Sequence, residues 1–536
     1  MDFKLPIEYI EHHPISQTIR DDLEMDDCYK KILGESGLLS SWVGFYTPCK
    51  PFLEETQNII QTLDVDVIDN TQMIKEFGVF SSETNFNDKY QYLNINVLEP
   101  LNTSIVFIQI LSLYNISAPI FSLCTPLFIF IVPFFILRLK NIQISGEDYT
   151  ELLQNMLKNT NMYQLFCSNN SISFQQKTSV IASILFYIFQ IYQNIISCIR
   201  FYENIHYIST FIESYKEYCI KSIHQIDKLS DKLKQYPSYS LFIKQNNKQK
   251  TILQSMVFQM SFIFPYKNTI SRLSQIGYIM TLYYKLFYNP EYNKTFYYSK
   301  HLNMYIKDVL SFQHNHKLNR INKCTFSPTK TKIKSSYHLA NIFEKTVKNN
   351  VNIEKNIMIT GPNASGKTTL LKSVLLNIIL SQQLGMGCYK SANIYIYNHF
   401  HSYLNIPDTS GRDSLFQAEA RRCKDILEHI ETNVKDRHFC IFDELYSGTN
   451  PNDAVLCAAI YLKGLFQYNQ VDFMLTTHYI QLCEQLNKSV KNIKMNVIEH
   501  QNKIEYTYKI KKGISYVHGG KQILKDLNYP AYLFDL

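Results

Sequence analysis

Apolar and polar positions divide the chain into stretches of different character. Residues 1–99 mix short apolar runs with charges and turn signals, as in Asp64-Val65-Asp66-Val67-Ile68-Asp69, which predicts a small mixed or helical region and assigns it no chemistry. From Pro100 to Leu137, 38 residues carry no Asp, Glu, Lys, Arg or His, and Arg138 and Lys140 follow directly. A bilayer span needs roughly 20 apolar residues, so this length fits a membrane hairpin or re-entrant segment. It equally fits an irregular buried core segment. Pro119, Pro126 and Pro133 recur inside it, and membrane helices accommodate such breaks better than soluble ones. A second uncharged run, Thr178 to Ile199, carries Gln190, Gln193 and Asn194 and reads as a buried core helix with a membrane span as the alternative.

From Phe201 to Met304 the pattern is helical, with Lys and Glu interleaved and almost no glycine. It predicts long packed helices, one ending before Pro237 and the next starting around Ile252, with the basic stretch Lys244 to Lys250 as a loop. The run Phe326-Ser327-Pro328-Thr329-Lys330-Thr331-Lys332 reads as a linker. Beyond it, strand and helix patterns alternate, as in an α/β domain with a mainly parallel sheet. The expected divisions are 1–99, 100–137, a helical region 138–335 and a last domain 336–536.

In that last domain the apolar run Ile357-Met358-Ile359 leads into Thr360-Gly361-Pro362-Asn363-Ala364-Ser365-Gly366-Lys367-Thr368-Thr369, followed by Leu370, Leu371, Val374, Leu375, Ile378 and Ile379 at helical spacing. Gly361, Gly366, Lys367 and Thr368 satisfy the phosphate-loop pattern in its strand-loop-helix setting. Glycine at both ends lets backbone N–H groups turn inward, and the helix N-terminus adds its positive dipole end. Lys367 would reach the β- and γ-phosphates, and the Thr368 hydroxyl would sit on Mg²⁺. Taken alone, the stretch could be a chance match.

Carboxylates roughly 75 residues downstream weigh against chance. The apolar strand His438-Phe439-Cys440-Ile441-Phe442 is followed at once by Asp443-Glu444, at the strand end where ligands of open α/β sheets collect. Asp443 would hold Mg²⁺ through water, and Glu444 would orient and activate the attacking water. A third strand, Val471-Asp472-Phe473-Met474-Leu475, ends in Thr476-Thr477-His478-Tyr479, where His478 could sense a γ-phosphate or serve only as a structural hydrogen-bonder. Between these elements, Asp413-Ser414-Leu415-Phe416-Gln417-Ala418-Glu419-Ala420 opens a helix with Ser414 at its cap.

Composition narrows the setting. At 536 residues the chain should hold two to four domains, and its 46% hydrophobic content is ample for their cores. A net charge of +8 is compatible with polyanionic partners and equally with an ordinary basic surface. Twelve cysteines lie singly, without a Cys-x-x-Cys pair or a secretory signal, which predicts reduced thiols in an intracellular protein and no zinc site.

The order of the motifs is more specific than any one of them. Gly-Pro-Asn before Gly-Lys-Thr, then Ser414, Phe416 and Glu419, then Asp443-Glu444 with Gly448-Thr449-Asn450-Pro451-Asn452-Asp453, then Thr-Thr-His-Tyr, resembles the ATPase domain of the MutS family. The closing Tyr508-Lys509-Ile510-Lys511-Lys512-Gly513-Ile514-Ser515 looks like the end of that domain, and the stretch Tyr403 to Cys423 is most similar to divergent MutS-like proteins of large DNA viruses. The resemblance covers roughly residues 336–536. It implies an α/β P-loop NTPase of the ABC type, in MutS-like form, at the C-terminus, preceded by a mainly α-helical region that would correspond to lever and core helices. It implies ATP and Mg²⁺ as cofactors, with Gly361, Pro362, Asn363, Ala364, Ser365, Gly366, Lys367, Thr368 and Thr369 binding phosphates. Thr368 and Asp443 would bind the metal, Glu444 would be the base, and His478 the γ-phosphate sensor. Asn349 resembles an adenine-side contact. A homodimer through the ATPase domains is implied, with Ser414 of one subunit on the γ-phosphate bound by the other.

The chain also departs from the family. The Phe-x-Glu wedge of mismatch-binding members has its letters in Phe52-Leu53-Glu54, but also in Phe211-Ile212-Glu213. Where better-known members have Gly-Arg-Gly-Thr, this chain has Tyr446-Ser447-Gly448-Thr449. Two functions follow as expectations. One is a dimeric MutS-like ATPase acting on DNA in mismatch repair or recombination. The other is a membrane-associated MutS-related mechanical ATPase anchored through 100–137, without mismatch recognition. An ABC-transporter subunit is disfavoured, because Ser414-Leu415-Phe416 stands in place of Leu-Ser-Gly-Gly-Gln.

Overall fold

The computed structural model describes residues 3–140, 142, 144–158, 174–263, 270–404, 414–500, 503–517, 524 and 529. Two compact units emerge, one made of Met1–Ile68, His224–Gln249 and Tyr297–Leu536, the other of Asp69–Ile223 and Lys250–Phe296. This differs from the four expected segments. Residues 1–68 group with the C-terminal residues while 69–99 fall in the other unit, and three unit boundaries lie inside the helices Phe174–Leu233, Ser240–Ser261 and Pro290–Lys317.

The Asp69–Ile223 and Lys250–Phe296 unit is helical, with a core of stacked aromatic rings. Phe77 lies on Phe296 at 3.6 Å between centroids, Phe86 on Phe287 at 3.8 Å, and Phe80 against Phe211 at 4.8 Å. Gly277 lets two helices of this unit touch. A β-carbon there would come within 2.7 Å of the Gln109 backbone N, while Gly277 N donates to Gln109 Oε1 at 2.8 Å.

The uncharged 100–137 segment forms neither a hairpin nor an irregular buried element. It is a short 3-10 turn, Glu99–Thr103, and then a single helix, Ile105–Leu139, begun by Ser104, whose hydroxyl accepts from Phe107 N. Its three prolines fall two turns apart, so the missing N–H groups line one face of the helix. The second uncharged run lies within the Phe174–Leu233 helix and is mostly exposed rather than buried. The two helices meet through polar groups. Tyr187 Oη donates to Ser122 O at 2.8 Å, Asn194 Nδ2 donates to Ser122 Oγ, and Cys198 Sγ lies 3.5 Å from Ile116 O. Ile110, Phe121, Leu123, Leu185, Phe186 and Phe189 all point outward and are at least half exposed. By length and apolarity both helices could cross a membrane.

Among the described residues the other unit contains thirteen strands. In chain order they are β1 His13–Pro14, β2 Phe45–Tyr46, β3 Asn322–Ser327, β4 Thr331–Ser336, β5 Asn349–Ile353, β6 Ile357–Thr360, β7 Met386–Gly387, β8 Ser391–Tyr395, β9 His399–Tyr403, β10 His438–Asp443, β11 Val471–Thr476, β12 Lys491–His500 and β13 Lys503–Lys512. The principal sheet runs β13-β12-β6-β11-β10-β9, parallel except for the β12/β13 pair. A second sheet runs β5-β4-β8-β3-β7. The expected linker at 326–332 is therefore the turn between β3 and β4, with β8 paired between them. The expected loop at Lys244–Lys250 is helical, inside Ser240–Ser261, and this helix begins well before Ile252. Phe242, Asn246 and Gln249 are buried on one side while Lys244 and Lys248 face solvent, so the basic run is the wet face of a helix.

The helix Lys367–Leu384 is buried almost all round, its polar residues Ser373, Asn377, Ser381, Gln382 and Gln383 included, so it is covered on both sides. One side meets the principal sheet. N-terminal residues take the other: Gln382 O accepts from Thr47 N at 2.9 Å, and Gln383 Nε2 donates to Trp42 O at 2.8 Å and to Phe45 O at 2.6 Å. The helix ends at Gly385 (φ 68°), where a β-carbon would lie 2.6 Å from Leu53 O. Only glycine allows the N-terminal helix Lys50–Thr62 to approach so closely.

Candidate functional site

Strand order explains the site. β6, β11 and β10 are parallel neighbours, so their C-terminal ends open side by side. The Gly361–Thr369 loop follows β6, Thr477-His478 follows β11, and Asp443-Glu444 closes β10. Because β11 lies between the other two, His478 falls between Lys367 and Glu444.

The geometry bears this out atom by atom. Lys367, only 6% exposed, points Nζ at the carbonyls of Gly361 (3.1 Å) and Pro362 (3.4 Å), with His478 Nε2 at 3.0 Å and Glu444 Oε1 at 3.9 Å. His478 Nε2 is also 3.0 Å from Glu444 Oε1. One ring nitrogen cannot accept from the ammonium and donate to the carboxylate at the same time, so His478 serves whichever partner its tautomer selects. Thr368 Oγ1 donates to Asp443 Oδ2 at 2.8 Å, and Thr476 Oγ1 donates to Asp443 Oδ1. Burial pushes the Lys367 ammonium below its usual range, with Glu444 and Asp443 acting in the opposite sense. The hydrogen bond with His478 holds the Glu444 carboxyl below its ordinary value.

Backbone strain collects at the same place. Ala364 (φ 61°), Glu444 (φ 52°) and Tyr446 (φ 59°) all adopt left-handed conformations that non-glycine residues avoid. Glu444 is held there by its N–H, which donates to Thr476 O at 3.1 Å.

A cleft of about 690 Å³ opens over the loop, within the size range of small-molecule sites. It is lined by residues 363–369, by Glu444, and by Tyr337, His338, Met495 and Tyr508. A β-carbon on Gly366 (φ 91°) would come within 3.2 Å of the Tyr508 ring, so the loop passes directly beneath that ring. The donor set fits a triphosphate with a hard divalent cation. A buried ammonium and a helix N-terminus suit phosphate, while a threonine hydroxyl beside an aspartate suits Mg²⁺.

The other expected site residues are placed differently. Asn349 lines the cleft, but its amide is occupied: Nδ2 donates to Tyr508 O at 2.9 Å and Oδ1 accepts from Ile510 N at 3.0 Å, tying β5 to β13. Asn349, expected as an adenine-side contact, thus also bridges two strands at the edge of the cleft. Ser414 caps the helix Leu415–Thr432 through a bond from Gln417 N, is exposed, and does not line the cleft among the described residues. Asp413 and residues 405–412 lie outside the described residues.

Sequence reasoning recognised Glu419 only as a motif letter. It is 2% exposed, and its carboxylate accepts from Ser447 N (3.0 Å), Ser447 Oγ (2.9 Å) and Gly448 N (3.2 Å). The turn after Asp443-Glu444 is thereby fastened to the helix that Ser414 begins. Thr476, Tyr508 and Met495 were also missed as site residues. Only the Thr-Thr-His run after a strand hinted at the first of them.

Comparison with known proteins falls on this region. Residues 357–534 match the MutS domain V family. The chain is 29% identical over 185 residues to a DNA mismatch repair protein MutS of Staphylococcus epidermidis, covering 33% of this chain and 20% of that protein. It is 29% identical over 198 residues to one of Bacteroides thetaiotaomicron (35% and 22%), and 27% identical over 201 residues to one of Persephonella marina (36% and 23%). The chain spans about a fifth of the length of the curated relatives it matches. Lys367, Thr368, Asp443, Glu444 and His478 all lie in the segment that matches MutS domain V, and through its C-terminal third the chain is similar to MutS proteins.

Proposed function

We propose that the C-terminal unit is a P-loop ATPase of the MutS type, hydrolysing ATP with Mg²⁺ and coupling the nucleotide cycle to DNA. The observation that carries this reading is the convergence of Lys367, Thr368, Asp443, Glu444 and His478, from separate segments, on one cleft. Gly361 to Thr369 hold the phosphates, with Lys367 exchanging its present carbonyl partners for phosphate oxygens. Thr368 and Asp443 hold Mg²⁺, which when bound would neutralise charge on the phosphates. Glu444 orients the attacking water and accepts its proton, and His478 donates to the γ-phosphate. Ser414, exposed at a helix N-terminus away from its own cleft, completes the site of a second protomer in a homodimer.

The test is Glu444→Gln, which keeps shape but removes the base. It should bind ATP as tightly as the parent and lose turnover by at least about a hundredfold, the lower range of general-base contributions. Undiminished hydrolysis would refute the role of Glu444. DNA as partner rests on the relatives, which are named as DNA mismatch repair proteins. ATPase rates with homoduplex, mismatched and branched DNA across a salt series measure it, since phosphate contacts weaken steeply with salt.

A second reading is favoured by one observation. The helices Ile105–Leu139 and Phe174–Leu233 pair through Ser122, Tyr187 and Asn194 while their large apolar side chains face outward, the reverse of a soluble bundle. On this reading the helix pair inserts into a membrane and the ATPase acts mechanically there. Recovery of the whole protein in the soluble phase after lysis without detergent would exclude it.

A further inference from the structure

Four histidines gather at the β9 edge of the principal sheet, away from the nucleotide cleft. His399 and His401 alternate along β9 and so share a face; His438 on β10 is the register partner of His399; His429 comes from the helix Leu415–Thr432 that covers this face. Farther along the same face the positions are apolar, with Tyr403, Cys440 and Phe442 packed against Cys423 and Ile426 of that helix. The imidazoles therefore replace the hydrophobic core at one end of a helix-on-sheet layer.

Their arrangement is ligand-like. One ring nitrogen each from His401, His429 and His438 lies within 4.8 Å of the other two. His401 Nε2 and His438 Nδ1 are 3.1 Å apart, close to the separation of about 3.3 Å that two nitrogens take on a tetrahedral zinc with bonds of about 2.0–2.1 Å. His438 Nε2 lies 3.0 Å from Asn433 O, which fixes its proton there and turns the Nδ1 lone pair toward His401. The proton between the two rings then belongs to His401 Nε2, and a shift of that proton to Nδ1 frees the second lone pair without net proton release. His429 is exposed, so its side chain can swing to close the third position.

The surroundings suit a cation. His401 and His438 are 8% and 0% exposed, so their ring nitrogens are shielded from water. Asp436 Oδ2 is 2.9 Å from His399 Nε2, placing a carboxylate beside the cluster. Arg422, the nearby cation, is anchored on Ser402 O at 2.9 Å. His13 packs 5.6 Å from the His399 ring, and its buried Nε2 has no hydrogen-bond partner.

We propose that His401, His429 and His438 bind one divalent transition-metal ion, Zn²⁺ by the character of the donors, with water in the fourth position. This site is independent of the nucleotide reading. It departs from the expectation, drawn from scattered cysteines, that no zinc site exists: the cysteines are not its ligands, and the histidines come together through strand pairing and the covering helix.

The test uses the full untagged chain, stripped with a chelator and titrated with Zn²⁺ against a chromophoric competitor, and in parallel with Co²⁺ followed by visible absorption. One Zn²⁺ per chain is expected, with a Co²⁺ spectrum free of thiolate charge-transfer bands. His429→Ala, at an exposed position that leaves the fold intact, should weaken Zn²⁺ binding at least about tenfold. Conversely, Asp425→Ala on the same helix should not alter it. Zn²⁺ binding by His429→Ala as tight as the parent, no stoichiometric binding by the parent, or thiolate bands with Co²⁺ would each overturn the proposal.

Discussion

Removing the Glu419 carboxylate tests how the turn after Asp443-Glu444 is held. The Glu419 side chain is buried, and its oxygens receive the backbone N–H groups of Ser447 and Gly448 and the Ser447 hydroxyl, from a turn that is itself exposed. A hydrogen bond to a charged acceptor contributes about 1.5–3 kcal/mol, and here the acceptor is the buried partner while the donors sit on an exposed turn. In Glu419→Gln the amide oxygen can keep the Ser447 pair, but the amide NH2 then faces the Gly448 N–H, donor against donor. The turn should open locally more easily by about 2 kcal/mol, which is roughly thirtyfold in an equilibrium constant. Amide hydrogen exchange by mass spectrometry, on a peptide spanning residues 445–453, reads this directly. Ser447→Ala loses the hydroxyl bond alone, about 1 kcal/mol, and should accelerate exchange only about fivefold. Global unfolding is the poorer assay, because a two-unit chain need not unfold in one step. Exchange in Glu419→Gln within twofold of the parent would refute the view that this carboxylate fastens the turn.

Ser414→Ala should impair hydrolysis in the partner's site, so mixing it with a Lys367→Ala chain should give the activity pattern of shared sites; rates that merely average those of the two variants would refute the dimer. Asp308, buried with Ser36 Oγ and Trp42 Nε1 both donating to its Oδ2, is raised to about 6 by burial. A raised carboxyl means that the native state binds the extra proton, so its contribution falls as pH rises from about 4 to about 6 and is flat above. Asp308→Asn should remove that slope from the stability profile between those values and stabilise the unit at neutral pH by up to about 3 kcal/mol; an unchanged pH profile in thermal melts would count against it.

Much of the site was legible because its chemistry is local. The Gly361–Thr369 loop, the Asp443-Glu444 pair and Thr476-Thr477-His478 each follow an apolar run, and a strand end is recognisable from a few neighbouring residues. Where the reading went wrong, the deciding contact was distant. The basic run at Lys244–Lys250 looked like a loop because its buried partners, such as Tyr298 Oη on Asn246 Oδ1, come from another helix. The bonds by which Asn349, still lining the cleft, ties β5 to β13 were equally hidden, because the backbone of residues 508 and 510 lies far along the chain.

The linear order of residues thus determined which groups are present and which local shape each takes: a glycine-bounded turn before a helix, carboxylates after a strand, a serine at a cap. Strand order decided the rest. With β11 between β6 and β10, His478 comes between the lysine and the glutamate; with β9 beside β10, histidines nearly forty residues apart share one face. Neighbouring strands lie about 4.8 Å apart whatever their separation in the chain, so side chains with no sequence relation become contacts. Likewise, only packing revealed that residues before Ile68 cover the helix Lys367–Leu384, because an apolar face states that it needs a partner and not which segment will supply one.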